Sequence, residues 1–153
     1  MSKKLLILCI VACAATAFMA AGLYAAGHGC PDTVTMKNEK AFKQHRMGIV
    51  DFTHKKHAED YGAGCGDCHH DENGKPLTDI TCEDEVQSCY ECHSKDGRPQ
   101  VDRSLSRDER TKAERDWYYG AIHQNCKDCH MKYNRENQTK DAPVACTQCH
   151  PKP

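Results

Sequence analysis

The chain is short of the residues from which a protein interior is ordinarily built. From Ala26 to Pro153 it has only 2 Leu, 3 Ile, 5 Val and 2 Phe, 12 of 128 residues, well under the roughly 20% below which a sequence cannot supply its own core. It has a single Trp and no long apolar run beyond Leu23. Nor does charge of one sign dominate: 21 basic against 22 acidic side chains leave a formal net charge of -1, which gives no general reason to expect nucleic acid as a partner. These shortages exclude a conventional α/β enzyme, a coiled coil and a solenoid. Taken alone they describe a disordered chain. What the same stretch does hold is 10 of the 12 cysteines and all 10 histidines. The expected core is therefore something added, bound through sulfur and imidazole.

The N-terminus sets the compartment. Met1–Lys4 carries two lysines, Leu5–Leu23 follows as 19 uncharged residues, and small residues gather around Ala25-Ala26-Gly27. This order reads as a secretory signal cleaved near Ala25, so residues 1–25 are expected to be removed, with Cys9 and Cys13, and residues 26–153 to form one domain. The apolar run is also about long enough to span a bilayer, and an uncleaved anchor is the competing reading. Export places the remainder in an oxidising compartment, where leftover thiols tend to pair.

One motif is repeated four times in 86 residues: Cys65-Gly66-Asp67-Cys68-His69, Cys89-Tyr90-Glu91-Cys92-His93, Cys126-Lys127-Asp128-Cys129-His130 and Cys146-Thr147-Gln148-Cys149-His150. A single CxxCH hints at covalent haem attachment; four are a strong signal. Two thiols must add across the two vinyl groups on one porphyrin edge while the adjacent imidazole swings beneath the ring to the iron. Zinc is the alternative, since paired CxxC units build tetrahedral sites, but zinc does not require a His after every second Cys.

The remaining histidines decide between electron transfer and chemistry at the iron. The porphyrin fills four of six positions on each iron and the motif histidine a fifth, so four further ligands are needed from His28, His45, His54, His57, His70 and His123. His54 and His57 are close enough in sequence to reach two different rings. His70 follows a motif histidine and must point away from the haem bound there. His123 precedes Cys126 by three residues, near the end of an expected helix. His28 and His45 are expected to be solvated.

Phe52-x-His54-x-x-His57, then Cys65-Gly66-Asp67-Cys68-His69-His70, then three more attachment motifs with His123 ahead of the third, resembles the tetrahaem cytochrome c3 family of sulfate-reducing bacteria from about Asp32 to His150. The resemblance implies a small, loop-rich, mainly α fold with a short two-stranded sheet, built around four covalently bound haem c groups. It implies axial pairs His69 with His54, His93 with His70, His130 with His57 and His150 with His123, for haems 1 to 4 in that order. It also implies that Phe52 packs between haems 1 and 3; the plain alternative is an apolar contact beside a strand. Uniform CxxCH spacing and an acidic mature chain, 19 basic and 22 acidic side chains for a balance of -3, look more like the acidic type II members than the basic type I. The implied role is a periplasmic electron carrier in sulfate respiration, fed by hydrogenase or a basic type I cytochrome c3 and delivering to a membrane-bound redox complex. Bis-histidine ligation leaves no position for a small-molecule substrate, so no enzymatic activity is expected, and without methionine ligation the potentials should be low. The competing readings are a multihaem reductase with an open iron and a membrane-anchored quinol-oxidising subunit.

Local patterns fill in the rest. Thr33–Met36 and Ile49–Phe52 alternate as two short strands, and Asp71–Pro76 reads as a turn around Asn73-Gly74. Ser106-Arg107-Asp108-Glu109 fits a capping box opening a helix that runs towards His123, with Asp108 and Lys112 spaced to pair. Trp117, Tyr118 and Tyr119 are expected to cover a haem edge or simply to pack. Cys30 and Cys82, left over from the motifs, are expected to form a disulfide, the alternative being free or intermolecular thiols. Charge divides unevenly: residues 26–94 have 7 basic and 13 acidic side chains, residues 95–153 have 12 and 9. An acidic face near haems 1 and 2 for a basic donor, and a separate exit face, are expected from that asymmetry.

Overall fold

The computed structural model describes residues 30–152, and the expected signal segment, with Cys9, Cys13 and His28, lies outside the described residues. Strand β1 (Val34–Thr35) pairs antiparallel with β2 (Asp51–Phe52), Val34 opposite Phe52 and Thr35 opposite Asp51. The expected strands are present in shortened form: Met36 N–H still donates to the Val50 carbonyl at 2.8 Å, and Thr35 Oγ1 donates to Asp51 at 2.8 Å. This ribbon delivers the chain into α1 (His54–Glu59), followed by a 3-10 turn at Cys65–Asp67, α2 (Cys89–Cys92), α3 (Arg107–Glu114), α4 (Tyr118–Glu136) and α5 (Cys146–Cys149). The turn at 71–76 forms as expected, with Gly74 at φ +78 and the Asp71 carboxylate accepting from the Asn73 and Lys75 amides at 2.9 Å.

The single helix expected from Ser106 towards His123 is two helices. Ser106 does cap α3: its Oγ accepts from Glu109 N–H at 3.3 Å, and the Glu109 carboxylate accepts from Ser106 N–H at 2.9 Å. The helix then tightens, with Arg115, Asp116 and Trp117 donating three residues back at 3.1–3.3 Å. Lys95 N–H donates to Asp116 at 3.1 Å and Tyr118 N–H to Lys95 at 3.2 Å, a parallel bridge between Lys95 and Trp117. That distant pairing draws Trp117 to φ -85, ψ 135, and tertiary context overrides local helix propensity. Gly120 permits the close approach, since a Cβ there would lie 2.0 Å from the Glu114 carbonyl oxygen. Asp108 and Lys112 are not among the three ion pairs of the described residues; both are exposed, where solvent screens such attractions to little net value.

Packing by the polypeptide itself is slight. Ala41 and Tyr118, 2% and 7% exposed, are the buried apolar side chains of the described residues. The Tyr118 ring lies against Phe42 at 6.3 Å and Tyr90 at 5.9 Å. Cys30 and Cys82 form a disulfide across 52 residues of sequence, resolving the two readings in favour of the bond. The C-terminus is tied back to the N-terminal half at Gly48, where a Cβ would meet the Pro151 carbonyl oxygen at 2.2 Å.

Candidate functional site

Each attachment motif occupies one turn of helix or its equivalent. The 3-10 turn, α2 and α5 begin on the first Cys of motifs 1, 2 and 4, and motif 3 lies within α4. A helical turn places residues three apart on the same face, so both thiols of a motif address one side. The motif histidine then closes the turn: the amides of His69, His93 and His150 donate to the carbonyls of Cys65, Cys89 and Cys146 at 2.8–2.9 Å. The sulfur spacing and the imidazole position are thus set by one local conformation.

The histidines come together in pairs from distant parts of the chain. His54 faces His69 with ring centroids 6.2 Å apart, His70 faces His93 at 5.8 Å, His57 faces His130 at 6.2 Å, and His123 faces His150 at 6.1 Å. Two imidazoles binding one metal from opposite sides, each nitrogen at about 2 Å from it, have centroids roughly 6 Å apart. These pairs have that separation.

In six of the eight imidazoles Nδ1 is fixed as well. Nδ1 of His57, His70, His123 and His150 lies 2.7–2.8 Å from the carbonyls of Thr53, Asp71, Tyr119 and Gly48. His130 Nδ1 lies 2.6 Å from the Pro143 carbonyl, and His93 Nδ1 bonds the Arg115 carbonyl. A carbonyl only accepts, so these Nδ1 atoms carry the proton and Nε2 keeps its lone pair for a metal. His54 differs, its Nδ1 being buried without a hydrogen-bond partner. Burial lowers the proton affinity of His69 and His123, aided for His69 by His54 and opposed for His123 by the Tyr119 carbonyl. The net downward shift of each favours the neutral, metal-binding form.

The eight motif cysteines are unpaired. Burial pushes the Cys126 thiol up to about 11, with neighbouring Cys68 and Cys149 adding to the effect, and raises Cys68, Cys89 and Cys149 as well. A redox-active thiol needs its acidity shifted in the opposite direction. Zinc fits no better: among the described residues no three His, Cys, Asp or Glu side chains converge on one point, as a tetrahedral site requires. The donor set fits haem c. Paired thiols sit beside opposed imidazoles, and the described residues, with two buried apolar side chains, need the apolar mass that porphyrins bring.

Phe52 lies 4.6 Å from the His57 ring and 5.8 Å from His54, between members of two imidazole pairs. Of the three aromatics before α4's motif, Tyr119 stacks on His123 at 4.1 Å, Tyr118 packs inside, and Trp117 lies under Lys95 Nζ at 4.5 Å. His45, expected to be solvated, is half-buried instead. Its ring lies 5.6 Å from Phe42 and its Nε2 is enclosed without a hydrogen-bond partner. Sequence reasoning missed the backbone carbonyls that orient the imidazoles, which no residue type announces. It also missed the run of α4 through motif 3, although no Pro interrupts residues 118–136.

Residues 31–150 match the Class III cytochrome C family. No individual curated protein and no solved structure matches the chain.

Proposed function

Since the chain belongs to the class III cytochrome c family, whose members bind haem c covalently and transfer electrons, we propose that it is a four-haem electron carrier with histidine on both axial sides of every iron. The observation that carries this reading is the set of four opposed imidazole pairs. The haems, once attached, supply reversible one-electron chemistry. The chain's own residues would hold them: Cys65 and Cys68, Cys89 and Cys92, Cys126 and Cys129, and Cys146 and Cys149 would anchor four rings, while His54/His69, His70/His93, His57/His130 and His123/His150 would each ligate one iron and leave no position for a substrate. No enzymatic activity follows from such a site.

In this reading the protein works in the periplasm after removal of residues 1–25, and its acidic balance supports a likeness to the type II members. Its donor is a basic type I cytochrome c3 or a hydrogenase, and its acceptor a membrane-bound redox complex of sulfate respiration. Two clefts support separate intake and exit faces. One of about 400 Å³ is lined by Asp71, Glu72 and Glu85 together with His69 and His70, bringing acidic charge beside haems 1 and 2. The other, about 450 Å³, is lined by Arg103, Arg107 and Arg110. None of those arginines is in an ion pair of the described residues. Low-temperature EPR of the oxidised holoprotein, with carbon monoxide added to the reduced form, tests the ligation. Four low-spin irons and no carbon monoxide band are expected; a high-spin centre overturns the reading in favour of an open reductase site.

A further inference from the structure

Among the described residues the four imidazole pairs leave one histidine unused, the half-buried His45. Its Nε2 is enclosed with no hydrogen-bond partner, and a buried polar nitrogen left unpaired is destabilising. Protein groups nearby do not meet the need. The carboxylate that acts on His45 electrostatically, Glu39, is exposed and held at 2.7 Å by Lys37.

Its surroundings form a closed circuit around one pair. The His45 ring lies 5.6 Å from Phe42, Phe42 lies 6.3 Å from Tyr119, and Tyr119 stacks on His123 at 4.1 Å. His123 faces His150 at 6.1 Å, and His150 donates to the carbonyl of Gly48 at 2.8 Å, three residues beyond His45. The segment carrying His45 therefore supports one axial ligand through its backbone and the other through Phe42 and Tyr119. A haem held between His123 and His150 offers a nearby N–H only one kind of polar acceptor, the propionate oxygens on the ring edge. We infer that His45 Nε2 donates a hydrogen bond to a propionate of that haem, an inference that rests on the four-haem reading.

The consequence is electrostatic. A donor on the propionate offsets negative charge near the iron, and its loss favours the oxidised state. The experiment is an NMR-followed redox titration of wild-type, His45→Phe and His45→Gln holoproteins, each checked for haem content. The haem showing contacts to His123 and His150 protons should shift in His45→Phe by threefold or more towards oxidised at fixed solution potential, about 28 mV at 59 mV per tenfold. His45→Gln, which keeps an N–H donor, should stay near wild type, and nitrogen-15 NMR of the wild type should find the His45 proton on Nε2. Equal shifts in both variants, which indicate packing alone, would overturn the inference, as would a shift on another haem or none. Failure of the underlying reading is separately visible, because wild-type protein would then lack four low-spin haems.

Discussion

At the scale of single residues, legibility follows covalent chemistry. Thioether attachment demands contiguous cysteines and an adjacent histidine, so the eight sulfurs and His69, His93, His130 and His150 stand out in sequence. The distal partners are set by folding across tens of residues, and only the family resemblance assigns them. The burial of His45 is illegible because its cover comes from Phe42, itself packed on Tyr118 and Tyr119 more than 70 residues on, and no local pattern reports such burial. The pairing of adjacent histidines gives a sharp test. His69 and His70 are neighbours, yet His70 faces His93. His70→Ala should therefore open the iron attached at Cys89 and Cys92 and leave the one attached at Cys65 and Cys68 low-spin. Carbon monoxide should bind one haem of the reduced variant, and paramagnetic NMR should place the high-spin signals beside His93. High-spin signals beside His69 would refute the assignment.

Elements are legible where a side chain acts on its own backbone and illegible where a remote segment intervenes. The capping box at Ser106 and the turn at Asn73-Gly74 are local and stand in the structure as their residues imply, whereas the break between α3 and α4 depends on Lys95. Gly120 makes that break possible, so Gly120→Ala should destabilise the holoprotein by about 1–3 kcal/mol, the usual cost of forcing atoms into a filled space. Thermal unfolding followed in the haem absorbance measures this; an unchanged midpoint would mean the helices part without difficulty. The capping box also carries a pH dependence. Bonds from the Ser106 hydroxyl and then its amide hold the Glu109 carboxyl below its usual 4.5. A depressed carboxyl stabilises the fold fully above its unfolded value and loses that contribution as pH falls through the folded value. The α3 cap should accordingly weaken only below about pH 4.5, and Ser106→Ala should bring the Glu109 titration midpoint, read by NMR, back up towards the ordinary carboxylate value.

For the whole molecule, the shortage of apolar side chains and the uneven charge are both legible in the sequence, but the clefts in which the charge gathers are not. Asp71, Glu72 and Glu85 line one cleft although Glu85 lies 13 residues of sequence beyond Glu72, and of the arginines at 103, 107 and 110 that line the other, α3 carries two, one turn apart. The acidic cleft is also lined by His69 and His70, so a basic partner seated there lies close to two haem sites. Long-range attraction raises association rates by roughly 10–1,000-fold at low ionic strength, and it is screened once the Debye length drops from about 30 Å at 0.01 M salt to about 3 Å at 1 M. Reduction by a basic cytochrome, followed by stopped flow, should therefore slow by roughly tenfold or more across that range. Glu72→Lys combined with Glu85→Lys should lower the low-salt rate and flatten its salt dependence, because the charge is removed where the partner docks. Arg103→Glu combined with Arg107→Glu makes the net charge more negative without touching that cleft, and should leave the rate near wild type or slightly above it. If both double variants instead changed the rate in proportion to net charge alone, the chain would be acting as a uniformly charged body, and separate intake and exit faces would have to be abandoned.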